Sequence, residues 1–190
     1  MNITKLILNA VPRPMLIKIS LWIRPIIAVL LKGNRFTDPI DGKSFRYFLP
    51  YGYQKIRYNV LSPSTLSLER HRLMWLFLQQ KTDFFTSPKK VLHIAPEQCF
   101  IKLFKAEQNL AYITADLHSP IADVKADILA LPFDDNSFDV VICNHVLEHI
   151  VDDQKAMSEL FRVMKKGGFG IFQVPQDLTL KSTYEDFTIT

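Results

Sequence analysis

After Pro88 the chain alternates short apolar runs with amphipathic segments, and this alternation constrains the fold more than any other feature. The amphipathic segments 97–108 and 152–165 predict helices. The apolar runs predict strands over 90–95, 111–117, 123–128, 137–146 and 167–175. Strands separated by helices form a parallel sheet with helices on both faces. We therefore expect an α/β, Rossmann-like fold that binds its ligand beyond the carboxyl ends of the strands.

Two smaller segments precede this core, and the first, residues 1–32, is strongly apolar. A helical projection places Trp22, Ile26 and Val29 on one arc, while Lys18 and Arg24 fall on the opposite side. Such an amphipathic helix either docks on protein, its own domain or a second copy, or lies on an anionic membrane. Charges and prolines interrupt the segment before it reaches the roughly 18 apolar residues of a membrane span.

The second segment, residues 33–66, is rich in turn-forming and aromatic residues and predicts a small β-rich insert. Short strands are expected over 45–49 and 57–60. The following segment, 67–81, has helical periodicity, with Ser67 as its N-cap. The chain is therefore divided into an amphipathic N-terminal segment 1–32, an insert 33–66 and an α/β core 67–190.

Composition limits the partners and the compartment. The 190 residues carry a formal net charge of +4, and no block of Lys and Arg marks a nucleic-acid-binding surface. The two cysteines, Cys99 and Cys143, are too few for a disulfide framework or a four-cysteine zinc site. We expect both thiols to stay reduced, which is typical of a cytoplasmic protein.

The loop after the first core strand, within VLHIAPEQCF (91–100), faces the expected ligand edge but contains no glycine. Glu97 either accepts a hydrogen bond from an ammonium or ribose group of a ligand, or is a first-turn carboxylate favoured by the helix dipole. Asp116 closes the second strand, where an acid can accept both ribose hydroxyls. Asp127 follows the third strand and can accept an adenine amine beside the amide of Ile128. Each of these two acids can equally cap a turn.

Asn144 and His145 end the fourth strand, directly after the apolar run VVIC. Polar side chains at this edge either line a ligand or form hydrogen bonds within the protein. His145 and His149 are four residues apart, as in some metal pairs, but no third ligand has a suitable spacing. We therefore expect no metal site.

These pieces together resemble the class I S-adenosylmethionine-dependent methyltransferases, in particular the type 11 group. The resemblance covers 91–175 and rests on the order of VLHIAPE, ITADL and ADILALPFDDNSFDVVICNHVLEH…RVMKKGG. The chain departs from the family at 93–97, where HIAPE, which is similar to a bacterial subgroup, replaces an acid-x-Gly-x-Gly pattern. The resemblance implies S-adenosylmethionine as cofactor, with contacts from His93, Ala95, Glu97, Asp116, Leu117, Asp127, Ile128, Asn144 and His145.

The same subgroup implies that the insert is a degenerate zinc ribbon. Its two Cys-Pro-x-Cys knuckles correspond here to Asp38–Asp41 and Ser62–Thr65. Hydroxyls are poor zinc ligands, so we expect the metal to be lost. The family sheet also continues into an antiparallel hairpin, for which residues 176–190 supply no apolar strands. We therefore expect a fragment or a natural truncation.

The resemblance implies methyl transfer to an unknown small-molecule or lipid-like acceptor, with His145 as the candidate general base. The alternative is a non-catalytic methyltransferase-like binding module. A nucleotide-dependent oxidoreductase is disfavoured because no G-x-G-x-x-G is present. We expect a cytoplasmic protein that binds no nucleic acid. Peripheral membrane contact through 1–32 and a homodimer both stay open.

Overall fold

The computed structural model describes residues 13–52, 55–176 and 179–182. The chain forms two compact units, one ending at Thr82 and the other beginning at Asp83. The division therefore falls after the helix over 67–81, which the sequence groups with the core. None of the described helices combines the length and the apolar character needed to cross a bilayer.

Within residues 13–52 and 55–82, the first unit contains two helices and two small antiparallel hairpins. Its elements are α1 (Arg13–Leu30), β1 (Lys32–Thr37), β2 (Ser44–Phe45), β3 (Leu49–Tyr51), β4 (Arg57–Leu61) and α2 (Glu69–Lys81). Strand β1 pairs with β2, and β3 pairs with β4. The predicted strand over 45–49 is wrong, since the chain passes between hairpins there and the Phe48 N–H donates to Asn59 Oδ1.

Helix α2 begins at Glu69, one residue later than an N-cap at Ser67 would place its start. Its N-cap is Leu68, whose N–H donates to His71 Nδ1 over 3.1 Å. Ser67 is not the cap, because its hydroxyl donates instead to Asp38 Oδ2 over 3.2 Å. The cap is therefore displaced by a contact between distant parts of the unit.

The described part of the second unit forms a five-stranded sheet in which every pair of strands is parallel. Its elements are β5 (Lys89–Ile94), α3 (Gln98–Ala106), β6 (Leu110–Asp116), β7 (Val124–Lys125), β8 (Phe138–Asn144), α4 (Asp153–Val163) and β9 (Met164–Gln173). The strand order is β7-β6-β5-β8-β9. This confirms the predicted fold class. The order reverses between β5 and β8, which makes their carboxyl ends the switch point of the sheet.

The crossovers place a helix on each face. The chain moves from β5 to β6 through α3 and in the opposite direction from β8 to β9 through α4, so right-handed connections bury opposite faces. Leu92 and Ile94 of β5 belong to the core that also contains Leu160 of α4. His93 points to the other face, where its ring meets Tyr112 edge-on at 5.9 Å.

Two strands differ in extent from the prediction. Strand β7 has two residues rather than six, because the chain bends after it and Asp127 forms an isolated bridge with Ala130. Strand β9 begins at Met164, directly after α4, rather than at the predicted residue 167. Gly168 lies within β9, where a Cβ would come within 2.7 Å of the Asp139 carbonyl oxygen. Residues 174–176 and 179–182 form no strand. The predicted lack of a terminal hairpin mostly concerns positions outside the described residues and stays a prediction.

Candidate active site

The carboxyl ends of three adjacent strands bring together most of the polar residues that the sequence singles out. Strand β5 leads into the loop carrying Glu97, β6 ends at Asp116 and β8 ends at Asn144. Glu97 is the link between two of these tips, because Asn144 Nδ2 donates to Glu97 Oε1 over 3.1 Å. The geometry therefore joins the opening loop to the switch point of the sheet.

A buried hydrogen-bonded chain fixes the Glu97 carboxylate. His93 Nε2 lies 2.7 Å from Glu97 Oε2, and His93 Nδ1 lies 2.8 Å from the Tyr112 hydroxyl. The His93 side chain is fully buried, whereas 14% of the Glu97 side chain is exposed. The carboxylate thus stands at the surface of the sheet edge with a buried support behind it.

The direction of the protons along this chain follows from Tyr112. Burial, together with the negative charge of Glu97, raises the pKa of Tyr112 well above its usual value. Tyr112 therefore keeps its proton and can donate it to His93 Nδ1. A neutral imidazole then carries its own proton on Nε2 and donates it to Glu97. In this arrangement each of the three side chains has a hydrogen-bond partner.

Two residues at the strand tips adopt left-handed backbone conformations without being glycine. Ala95 has φ of +48° and follows β5, and its N–H donates to the Ala115 carbonyl oxygen over 2.8 Å. His145 has φ of +55° and follows β8, and its N–H donates to the Gln173 carbonyl oxygen over 2.7 Å. Such conformations cost about 1–2 kcal/mol for residues with a Cβ, and strain of this kind clusters at functional sites.

Asp116 and Asp127 both form turns, and both keep one carboxylate oxygen available. Asp116 Oδ1 accepts the N–H groups of His118 and Ser119 over 2.7 and 2.6 Å. Asp127 Oδ1 accepts the Leu129 N–H over 2.9 Å. No described residue donates a hydrogen bond to Oδ2 of either acid. The turn and ligand interpretations are therefore compatible, since one oxygen orients the side chain and the other can accept from a ligand.

The remaining predicted residues differ in their exposure. Leu117 is exposed beside Asp116, whereas Ile128 is buried in the core below the edge. The His145 side chain is one-third exposed, and its Nδ1 lies 3.2 Å from Glu148 Oε1. Burial raises the pKa of the neighbouring Cys143 thiol to about 12, so this thiol stays protonated. The rings of His145 and of exposed His149 are thus both accessible near the β8 tip.

The His145 and His149 pair does not continue into a metal site. The segment Leu147–His149 is a 3-10 turn rather than an α-helix, so the helical spacing on which the pair depends is absent. Within the described ranges, no cluster of three or more His, Cys, Asp or Glu side chains has the geometry to hold a metal ion.

A charged clamp outside the predicted residues positions the loop that follows Asp127. The Arg162 guanidinium donates to the carbonyl oxygens of Leu131 and Phe133 and to the carboxylates of Glu159 and Asp135. Glu159 Oε2 also accepts the Leu131 N–H over 2.9 Å. The hydrogen bonds from Arg162 lower the pKa of Glu159 to about 2. The sequence does not indicate that Arg162 and Glu159 hold this loop, because their contacts with it join residues about 30 positions apart.

The parallel sheet and the polar groups at the carboxyl ends of β5, β6 and β8 have the arrangement expected from the resemblance to class I methyltransferases. Residues 82–172 match the family model described as "Methyltransferase domain". This match and the fold confirm the resemblance at the level of the class and the domain.

Individual relatives match only part of the chain. It is 38% identical over 68 residues to a ubiquinone/menaquinone biosynthesis C-methyltransferase of Idiomarina loihiensis, covering 34% of this chain and 27% of that protein. It is 46% identical over 66 residues to an uncharacterized protein of Methanocaldococcus jannaschii, covering 34% and 29%. A SAM-dependent methyltransferase structure from Archaeoglobus fulgidus aligns with a TM-score of 0.40 and 22% identity, over 52% and 50% of the two chains. The chain thus spans under a third of the length of these two curated relatives.

Proposed function

We propose that this chain is an S-adenosylmethionine-dependent methyltransferase acting on a small-molecule or lipid-like acceptor. The observation that carries the proposal is the set of oriented carboxylates at adjacent strand tips. Glu97 is held by His93 and Asn144, and Asp116 and Asp127 each have one oxygen engaged by backbone and the other available. These groups match the hydrogen-bond donors of S-adenosylmethionine, an ammonium, two ribose hydroxyls and an adenine amine.

The residues therefore fit the cofactor, with one role for each. Asp116 would hold the ribose, Asp127 the adenine amine, and Glu97 the ammonium. His93 acts behind Glu97, because both of its ring nitrogens are engaged within the protein. Leu117 and Ile128 would supply apolar surface and an amide at the adenine end.

The bound cofactor supplies a methyl group that is already activated by a sulfonium. The work of the protein is then mainly to hold donor and acceptor in line. His145 is the candidate base for an acceptor that must lose a proton, since its ring is accessible and its Nδ1 is oriented by Glu148. Its left-handed backbone directs the residue away from the extended course of β8.

A turnover assay tests the catalytic part of this proposal. The quinone-biosynthesis relatives favour demethylated quinols and hydroxyarenes as the first acceptors to test, with formation of S-adenosylhomocysteine as the readout. We expect turnover with the parent chain and a rate reduced about 100-fold or more in His145→Ala. His118→Ala, an exposed histidine on the loop after Asp116, is the matched control and keeps its rate.

The alternative is a non-catalytic methyltransferase-like module that serves binding or interaction. The HIAPE loop favours this alternative, because Ala95 and Glu97 stand where the family has glycines that leave room for the cofactor. Cofactor binding without turnover on any acceptor class would support the module and contradict the enzyme.

We also propose that the insert is a ribbon in which hydrogen bonds replace a metal. The Asp38 side chain is fully buried and accepts bonds from Thr65 Oγ1 over 2.5 Å and Ser67 Oγ over 3.2 Å. Arg72 Nη1 donates to the Ser67 carbonyl oxygen over 2.7 Å. These bonds connect the turns that carry the two predicted knuckles. We expect less than 0.1 zinc per purified chain by elemental analysis, and a stoichiometric metal would contradict the proposal.

A further inference from the structure

The two units carry opposite charge. Residues 1–82 contain thirteen Lys and Arg against three Asp and Glu, for a net charge of +10. Residues 83–190 contain ten against sixteen, for a net charge of −6. The overall value of +4 conceals this separation. The first unit is therefore strongly basic, and its partners are expected to be anionic.

Helix α1 turns its apolar stripe outward. Trp22 is 84% exposed and Val29 is 74% exposed, and the stripe also includes Ile23, Ile26 and Leu30. By contrast, Arg24, Ile27 and Ala28 on the other side of the helix are partly buried. A helix that docks on its own domain shows the reverse pattern. Of the three alternatives, packing of this arc on its own domain is therefore disfavoured for the described part of α1.

Cations lie at the end of this stripe. Lys32 begins β1, one residue beyond Leu31 that follows α1, and it is exposed. Arg46 is also exposed, and its N–H donates to the Leu31 carbonyl oxygen over 2.8 Å, which places its backbone beside the last turn of α1. Apolar side chains flanked by cations are typical of surfaces that insert among lipid acyl chains and contact anionic headgroups.

We propose that α1 and the adjoining β1–β2 hairpin form a docking surface for an anionic lipid membrane. The apolar stripe supplies insertion, and the basic unit supplies attraction to the headgroups. Charge disfavours a symmetric second copy as the occupant, since two such stripes in contact would bring two units of +10 together. The proposal does not depend on methyl transfer, and its test measures binding alone.

Sedimentation of the full chain with lipid vesicles provides the test. The probe vesicles are phosphatidylcholine alone and phosphatidylcholine with 30% phosphatidylglycerol, at low salt and at 0.5 M salt. We expect at least tenfold stronger binding to the anionic vesicles and a loss of that difference at high salt. Lys32→Glu/Arg46→Glu is expected to weaken binding to anionic vesicles at least tenfold.

The apolar contribution has its own variant and control. Trp22→Ser/Ile26→Ser removes exposed side chains and is expected to weaken binding at least tenfold, while the melting temperature stays unchanged. Phe161→Ser, which removes an equally exposed aromatic from α4 of the acidic unit, is expected to leave vesicle binding unchanged. Lys102→Glu is the corresponding charge control in that unit.

Two outcomes would overturn the proposal. One is equal recovery of the parent chain in the supernatant with and without anionic vesicles. The other is a dimer, measured by light scattering, that the substitutions Trp22→Ser/Ile26→Ser dissociate. Anionic vesicles would not dissociate this dimer. That result would assign the stripe to a second copy.

Discussion

The imidazole of His93 and the carboxylate of Glu97 lie 2.7 Å apart, Nε2 to Oε2, at the point where β5 enters its loop. The family pattern named above has an acid at position 93 and a glycine at position 97. In this chain the acid stands four residues later and the histidine supports it from the core. A carboxyl group is thus retained at the sheet edge, although a different residue provides it.

The first prediction concerns the Glu97 carboxylate of this His93–Glu97 pair. Glu97→Gln keeps the shape but removes the charge that would face the cofactor ammonium. We expect the affinity for S-adenosylhomocysteine to fall by about tenfold to 100-fold, since a hydrogen bond to a charged group is worth about 1.5–3 kcal/mol. Glu107→Gln, at the end of α3, is the control and is expected to bind like the parent chain. Equal affinities for all three proteins, measured by calorimetry, would remove Glu97 from the site.

The second prediction concerns the left-handed backbone of Ala95. Glycine adopts this conformation without the steric cost that Ala95 bears, although it also gives the unfolded chain more freedom. We expect Ala95→Gly to raise the free energy of unfolding by at most about 1 kcal/mol, which is a small stabilisation. Ala111→Gly, an exposed position in extended β6, should instead be destabilised by about 0.5–1 kcal/mol. Urea unfolding of both variants checks this, and a loss of stability in Ala95→Gly equal to that of Ala111→Gly would contradict it.

The third prediction is a pH dependence that comes from the clamp. Because Arg162 lowers the pKa of Glu159 to about 2, from an ordinary value of 4.5, ionised Glu159 stabilises the folded state. This contribution is complete above the unfolded pKa and is lost as the pH falls from about 4.5 towards 2. Glu159→Gln should therefore cost about 2–3 kcal/mol at pH 7, and the difference from the parent chain should shrink at pH 3. A difference that is the same at pH 7 and pH 3 would contradict the assignment.

The fourth prediction concerns the two thiols. Cys143 is buried in β8 and burial raises its pKa to about 12, whereas Cys99 is partly exposed in α3. We expect a thiol reagent at pH 8 to modify Cys143 only when the chain unfolds, because the reactive thiolate is absent in the folded state. The rate at which the reagent modifies Cys143, measured in the Cys99→Ala variant, should match the rate of unfolding. Rapid modification of folded Cys99→Ala would show that the β8 tip is open to solvent.

The sequence predicts the parallel sheet well because its signals are local. Alternating apolar runs determine each strand, and the crossovers then determine the layers. Contacts between distant positions escape this reasoning. Tyr112 supports His93 only because the register of β5 with β6 brings their side chains together on one face of the sheet. Arg162 reaches the loop after Asp127 only through the packing of α4.

The same limit explains the errors in the first unit. Ser67 has the chemistry of an N-cap, yet buried Asp38 takes its hydroxyl. The charge separation was hidden because the net charge of the whole chain averages two units of opposite sign. Only the division after Thr82 makes that separation visible. The candidate carboxylates were predictable because each lies at the end of a strand or within a few residues after it, but their hydrogen-bond partners were not.

Calorimetric titration with S-adenosylhomocysteine measures whether Asp116 and its neighbours at the strand tips hold an adenosine cofactor. We expect saturable one-to-one binding by the parent chain and by Asp134→Asn, an exposed acid away from the strand tips. In Asp116→Asn the affinity should fall at least tenfold, because the ribose hydroxyls lose a charged acceptor. Binding that is absent in the parent chain, or that is unchanged in Asp116→Asn, would contradict the account.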